Sequence, residues 1–133
     1  NGAMGGLDAP VFYLHIEPGQ SFIGGGLWRP QPDSVKRVRE YMLSNPASWK
    51  KATRDAKFRK VYELVGEALS RPPQGYDPAH ELIEDLKRKD LVCTATLTQD
   101  ELCAPEALKT VLKHFALASP MLDWLCGALD LDF

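Results

Sequence analysis

The sequence lacks most of the features that would name a chemistry. Its three cysteines, Cys93, Cys103 and Cys126, are odd in number, with no Cys-x-x-Cys and no compact Cys/His cluster. That argues against a disulfide framework and points to reduced, buried thiols in a cytoplasmic protein. No apolar run is long enough to span a bilayer, so no membrane partner is expected. The N-terminus lacks the basic and apolar regions of a signal peptide. There is no Gly-x-Ser-x-Gly elbow, and Gly24-Gly25-Gly26 lacks the spacing and the following helix of a phosphate loop. A net charge of −2 argues against a nucleic-acid partner. Residues 1–9 read as a flexible leader or expression remnant, and residues 10–133 as a single α+β domain long enough for a real core.

What the chain does have is concentrated in residues 11–28, which read as a β-hairpin. Alternation places Phe12, Leu14 and Ile16 on one face of its first strand and Tyr13, His15 and Glu17 on the other. Pro18-Gly19-Gln20-Ser21 is turn chemistry. On the return strand Ile23, Gly25 and Leu27 join the apolar face, and Phe22, Gly24, Gly26 and Trp28 join Tyr13, His15 and Glu17. Two glycines on that second face remove two side chains. It reads either as a shallow pocket, floored by Gly24 and Gly26 and walled by Tyr13, His15, Glu17 and Trp28, or as a place where a helix packs closely or a bulge twists the hairpin.

Proline and cap signals predict helices over 32–44, from Asn45-Pro46 to Thr53, and from Asp55 to Lys60. Residues 29–60 hold ten Lys and Arg against three acids, a local balance of +7; residues 98–133 hold six acids against two lysines, a balance of −4. The basic segment reads as a phosphate patch or as solvated helix faces, and no recognition motif accompanies it. Residues 61–70 fit a helix or a short strand. Asp77-Pro78 predicts a helix to Lys89 with Leu82, Ile83 and Leu86 inward. Residues 91–97 predict a third strand, and Thr98 with Glu101 a capping box. Ala104-Pro105 predicts a helix to about residue 118 with Leu108, Val111, Leu112 and Phe115 as its apolar stripe, and Ser119-Pro120 a last helix. The expected fold is therefore α+β: a small antiparallel or mixed sheet built on the N-terminal hairpin and covered by several helices.

Phe12-Tyr-Leu-His-Ile-Glu-Pro-Gly19, Gly24-Gly-Gly-Leu-Trp28 with Pro30, Arg71-Pro-Pro-Gln-Gly-Tyr76 with His80, and the Leu86–Leu91 approach to a strand resemble the bacterial conserved-hypothetical family called domain of unknown function 2461. The resemblance runs from about residue 10 to the end. It implies no named activity, substrate or cofactor. It gives weight to Tyr13, His15, Glu17, Gly24, Gly26, Trp28, Pro73, Gly75, Tyr76 and His80 as the positions that match its motifs. Members also carry Asn-Asn…Trp-Phe and Asp-Lys-x-Pro-Tyr-Lys segments that this chain does not have. The resemblance therefore implies the C-terminal part of a longer family domain, whose thin sheet calls for a homodimer or for association with the missing N-terminal half.

Two function classes follow. One is a binding or interaction module using the glycine and aromatic face of the hairpin, with Tyr13 and Trp28 as walls. The other is an enzyme acting on a small anionic substrate, with His15 and Glu17 as an acid/base pair and Arg29 or Arg71 binding the anion. The two differ in whether a cavity gathers His15, Glu17 and an arginine. A metal is not expected: His15 and Glu17 would need His80 or Glu81 as a distant third ligand.

Overall fold

A computed structural model of the chain describes residues 8–131. Of the expected leader, residues 1–7 lie outside the described residues, and the Asp8 carboxylate accepts a hydrogen bond from the Gln31 N–H at 2.7 Å. Strands β1 (Val11–His15) and β2 (Phe22–Leu27) form the hairpin. Phe12 pairs with Gly25 and Tyr13 with Gly24, so the faces divide as alternation requires. Pro18 and Gly19, at φ +77°, form a turn closed by Gln20 N–H donating to the Glu17 carbonyl at 2.9 Å. Such a turn needs positive φ at its third residue. Ser21 completes the loop: its hydroxyl accepts from the Glu17 N–H and donates to the Glu17 carbonyl.

The sheet has four antiparallel strands, ordered β1-β2-β4-β3, with β3 at Glu63–Val65 and β4 at Leu91–Thr96. The fourth strand comes from the ambiguous segment 61–70. Gly66, at φ +102°, ends it, and a bridge between Ala68 and Arg88 continues the pairing.

That bridge also explains a correction. The helix expected from Asp77-Pro78 to Lys89 is only α4 (Ile83–Leu86). At its start, Asp77 accepts from Ala79 N–H and His80 Nδ1 accepts from Leu82 N–H. The Asp77 bond is an ordinary cap, but the His80 ring takes an amide that would otherwise bond within the helix. At its end the Lys87 carbonyl accepts from Leu69 and Lys89 N–H donates to Glu67, while the Arg39 guanidinium holds the carbonyls of Leu86 and Arg88.

Helices α1 (Pro32–Ser44), α2 (Pro46–Thr53), α3 (Ala56–Val61) and α5 (Gln99–Cys103) begin where their caps predict. Asp55 accepts from Lys57 N–H, and both halves of the Thr98–Glu101 capping box are made. Asn45 precedes α2, but its side chain donates back to the Tyr41 carbonyl instead of capping.

The two expected C-terminal helices are one, α6 (Ala107–Ala128), with Pro120 inside it. An interior proline costs about 3 kcal/mol. Beyond it, Met121, Leu122 and Leu125 are fully buried, and each such side chain contributes about 1.5–3 kcal/mol. Burial outweighs the break; just before it, the Ser119 hydroxyl donates to the Phe115 carbonyl at 2.9 Å. The first half of α6 is less buried than its spacing predicts: Leu108 and Leu112 are 70% and 56% exposed, while Phe115 packs on Phe12 at 4.8 Å between ring centroids.

The core lies between one sheet face and the helices. Ile23, Leu27, Leu91, Cys93 and Ala95 point into it. Helix α6 approaches β2 at Gly25, where a Cβ would come within 2.9 Å of Leu122 Cδ1. Trp49 and Trp124 meet edge-on at 4.6 Å; their indole N–H groups donate to Asp85 and Ser48. Leu14 and Ile16, expected on the buried face, are exposed, because the helix layer does not extend over that end of the edge strand β1.

Asp90 joins the strand ends. Its buried carboxylate accepts from Arg29 N–H and Glu67 N–H, both at 2.8 Å. Each acceptor bond secures an unusual backbone: Arg29 itself has φ +50°, and Glu67 follows Gly66. The φ at Arg29 costs a non-glycine residue about 1–2 kcal/mol.

Asp90→Asn keeps one acceptor but turns an amide N–H2 toward a backbone donor. It is expected to lower unfolding free energy in urea by about 2–3 kcal/mol, with the slope unchanged. An unaltered midpoint would remove Asp90 from this role. Gly26 has φ +128°, and a Cβ there would fall onto the Leu91 carbonyl oxygen; a Cβ at Gly19 would meet nothing within 4 Å among the described residues. Gly26→Ala should therefore cost at least about 3 kcal/mol and Gly19→Ala only about 1 kcal/mol. Equal losses in paired denaturation curves would contradict this.

Candidate functional site

The sheet face turned away from the core carries Tyr13 and His15 of β1, Phe22 and Gly24 of β2, Thr94 and Thr96 of β4, and Glu63 and Val65 of β3. Alternation brings them to one side, and pairing puts Tyr13, Gly24, Thr94 and Glu63 in one row across the strands. Trp28 follows β2 on the same side and is 55% exposed.

Neither glycine is an open floor of the expected kind. The Tyr13 ring lies over Gly24, where a Cβ would be 3.0 Å from its Cζ and Oη. Gly26 is taken up by the close approach of the β4 backbone. The helix that seats on a glycine does so at Gly25, from the opposite face. The space on the outer face is bounded by rings instead. Tyr13, Phe22, Trp28, Val65 and Thr94 line a hollow of about 540 Å³ whose walls are nearly all apolar. Tyr13 meets Phe22 edge-on at 5.9 Å between centroids, and His15 stacks on Phe22 at 5.0 Å. Burial, with smaller contributions from Cys93 and Asp90, raises the Tyr13 pKa. The phenol therefore stays protonated at neutral pH and serves as a wall rather than a base.

His15 and Glu17 do meet: Nε2 and Oε1 are 3.0 Å apart, with both side chains about half exposed. The pair sits outside the lining of the hollow. Arg29 lies apart from it, in a separate cavity of about 380 Å³ with Arg39, Glu67 and Lys89. Tyr76 stands near Arg39 and Glu40 of α1, its phenol pKa raised chiefly by burial. His80 uses Nδ1 to accept from Leu82, and Arg71 is exposed. Arg71, Tyr76 and His80 line neither the hollow nor any cavity next to it. Of the expected positions, Tyr13 and Trp28 are thus brought together. Phe22 joins them from the same strand alternation, while Val65 came from a segment whose structure was ambiguous.

A second cavity, of about 1030 Å³, opens where β3 stops short and leaves the edge of β4 free at Ala95 and Thr96. It is mostly polar and includes Arg54, Arg59 and Arg88. Arg88 Nε donates to Asp85 Oδ1 at 3.0 Å, and Arg54 Nη2 is 3.8 Å from Asp85 Oδ2. Thr94 lines this cavity and the apolar hollow alike. In the sequence Arg54 and Arg59 were visible only as members of the basic segment, and Arg88 only as a helix-end charge.

Among the described residues no group of three or more His, Cys, Asp or Glu side chains is placed to hold a metal ion. Nor does the outer face carry a thiol. Cys93 lies on the core side, with its pKa pushed up to about 12 by burial; Cys126 is buried and also raised; Cys103 is exposed. Since the thiolate is the reacting form, one thiol per native chain, Cys103, is expected to react quickly with Ellman's reagent at pH 8, and the other two only after unfolding. Fast reaction of Cys93 would contradict its placement.

No curated protein and no solved structure matches the chain. A family model described as Conserved hypothetical protein (DUF2461) matches residues 3–124, which take in the hairpin, the whole sheet and most of α6. The chain therefore belongs to the DUF2461 family of conserved hypothetical proteins.

Proposed function

We propose that this domain is a binding module whose contact surface is the outer sheet face around Tyr13, Phe22 and Trp28. The observation that carries this reading is the hollow of about 540 Å³, lined by three aromatic rings, Val65 and Thr94 on the side of the sheet opposite the helices. That volume is within the range of about 300–1,000 Å³ usual for small-molecule sites. Aromatic side chains supply large contact area with few rotatable bonds and dominate the energetics of recognition. Trp28 is the exposed member of the three tryptophans; Trp49 and Trp124 are buried and hydrogen-bonded.

An acid/base enzyme built on His15 and Glu17 draws less support. Catalysis by such a pair needs a substrate held within hydrogen-bond reach. Among the described residues, none of the cavities above gathers His15, Glu17 and Arg29 or Arg71.

Nile red, an uncharged dye, is expected to bind the native protein with saturable fluorescence. Trp28→Ala should abolish that signal while leaving urea stability within about 0.5 kcal/mol, as for other exposed sites. Native protein that takes up no dye, or dye binding indifferent to Trp28→Ala, would count against the module.

A further inference from the structure

The apolar hollow does not end at its own rim. Thr94 is also a wall of the polar cavity beside it, so an aromatic compartment and a cationic one adjoin across a single residue of β4. Their chemistries are complementary halves of one kind of ligand. The rings of Tyr13, Phe22 and Trp28 offer stacking and edge contacts to a flat heterocycle. Stacking of this sort tolerates any base, because every base has a π-face. The neighbouring cavity offers three guanidinium groups, whose planar forks donate paired N–H bonds to two oxygens of a phosphate.

The charges there are not cancelled. Asp85 is occupied by Arg88 and by the Trp49 indole, and its distance to Arg54 is longer than a hydrogen bond. Arg59 has no ion-pair partner among the described residues. Arg54, Arg59 and Arg88 face Asp85 and Glu63 as the cavity's acids, an excess of one positive charge before any ligand enters. A phosphate monoester, at about −1.5 to −2 near neutral pH, fits that excess better than a neutral ligand does.

Resting on the binding-module reading, we propose that the ligand is a free nucleoside phosphate, its base in the hollow with Trp28 and its phosphate with Arg54, Arg59 and Arg88. A free nucleotide is favoured over a nucleic-acid strand on two grounds. The arginines form one cluster at one end of the hollow rather than a track along the sheet. The whole chain carries −2, where strand binding draws on many basic contacts.

The test is a calorimetric titration of the full chain with adenosine monophosphate, cytidine monophosphate, adenosine, inorganic phosphate and a short single-stranded oligonucleotide. Both nucleotides should bind, each at least about tenfold more tightly than adenosine or phosphate alone, with affinity falling as salt rises. Arg59→Ala removes a guanidinium with no ion-pair partner among the described residues. It should weaken both nucleotides about tenfold and leave Nile red binding intact. Trp28→Ala should abolish both. Binding of phosphate as tight as that of the nucleotides would overturn the base half, and indifference to Arg59→Ala the phosphate half. Tighter binding of the oligonucleotide than of either nucleotide would overturn the choice of ligand. Nile red binding with no nucleotide binding overturns this proposal alone; loss of both overturns the module as well.

Discussion

Helix α6 rests on β2 at a residue with no side chain, and the layout of the domain follows from that contact. At Gly25 the Leu122 side chain reaches the sheet backbone, bringing the helix closer than any Cβ would permit. The approach buries Met121, Leu122 and Leu125 together and brings Trp124 onto Trp49 and Tyr41. It also accounts for the uninterrupted helix through Pro120, since a break there would swing the second half of α6 off the sheet.

Among the described residues, seating the large helices on one face leaves the other face to its own side chains. Tyr13 lies over Gly24, Phe22 supports His15, and Trp28 projects beyond the end of β2. Tyr13 and His15 each pack on Phe22, and the surface between these rings and Trp28 is not closed. Along its other edge the short β3 leaves part of β4 unpaired, and Arg54 just after α2, Arg59 of α3 and Arg88 line the cavity there. Asp90 holds the backbones of Arg29 and Glu67 together just beyond the ends of β2 and β3. Aromatic hollow and basic cavity are thus two consequences of one-sided cover and one short strand.

How much of this is legible in the residues depends on the range of the interaction. The hairpin faces could be read because alternation is local, and so could the Asp55 cap and the Thr98–Glu101 box. The helix expected over 77–89 could not, since His80 Nδ1 takes the Leu82 amide and residues 67–69 claim Lys87 and Lys89 from across the chain. Pro120 reads as a boundary until the burial of Met121 and Leu122 is known. The site divides in the same way. Tyr13 and Trp28 were visible as strand neighbours, whereas Val65, Arg88 and the role of Asp90 depend on pairings between distant segments. Arg54 and Arg59 carried a signal of charge without a location.

One-sided cover is tested most directly by adding a soluble paramagnetic relaxation agent to the protein and following its three indole N–H resonances by NMR. An open outer face predicts strong relaxation of the Trp28 indole, with the Trp49 and Trp124 indoles, held by Asp85 and Ser48, nearly unaffected. Equal protection of all three would mean that the face is covered in solution, and would contradict the binding surface proposed there.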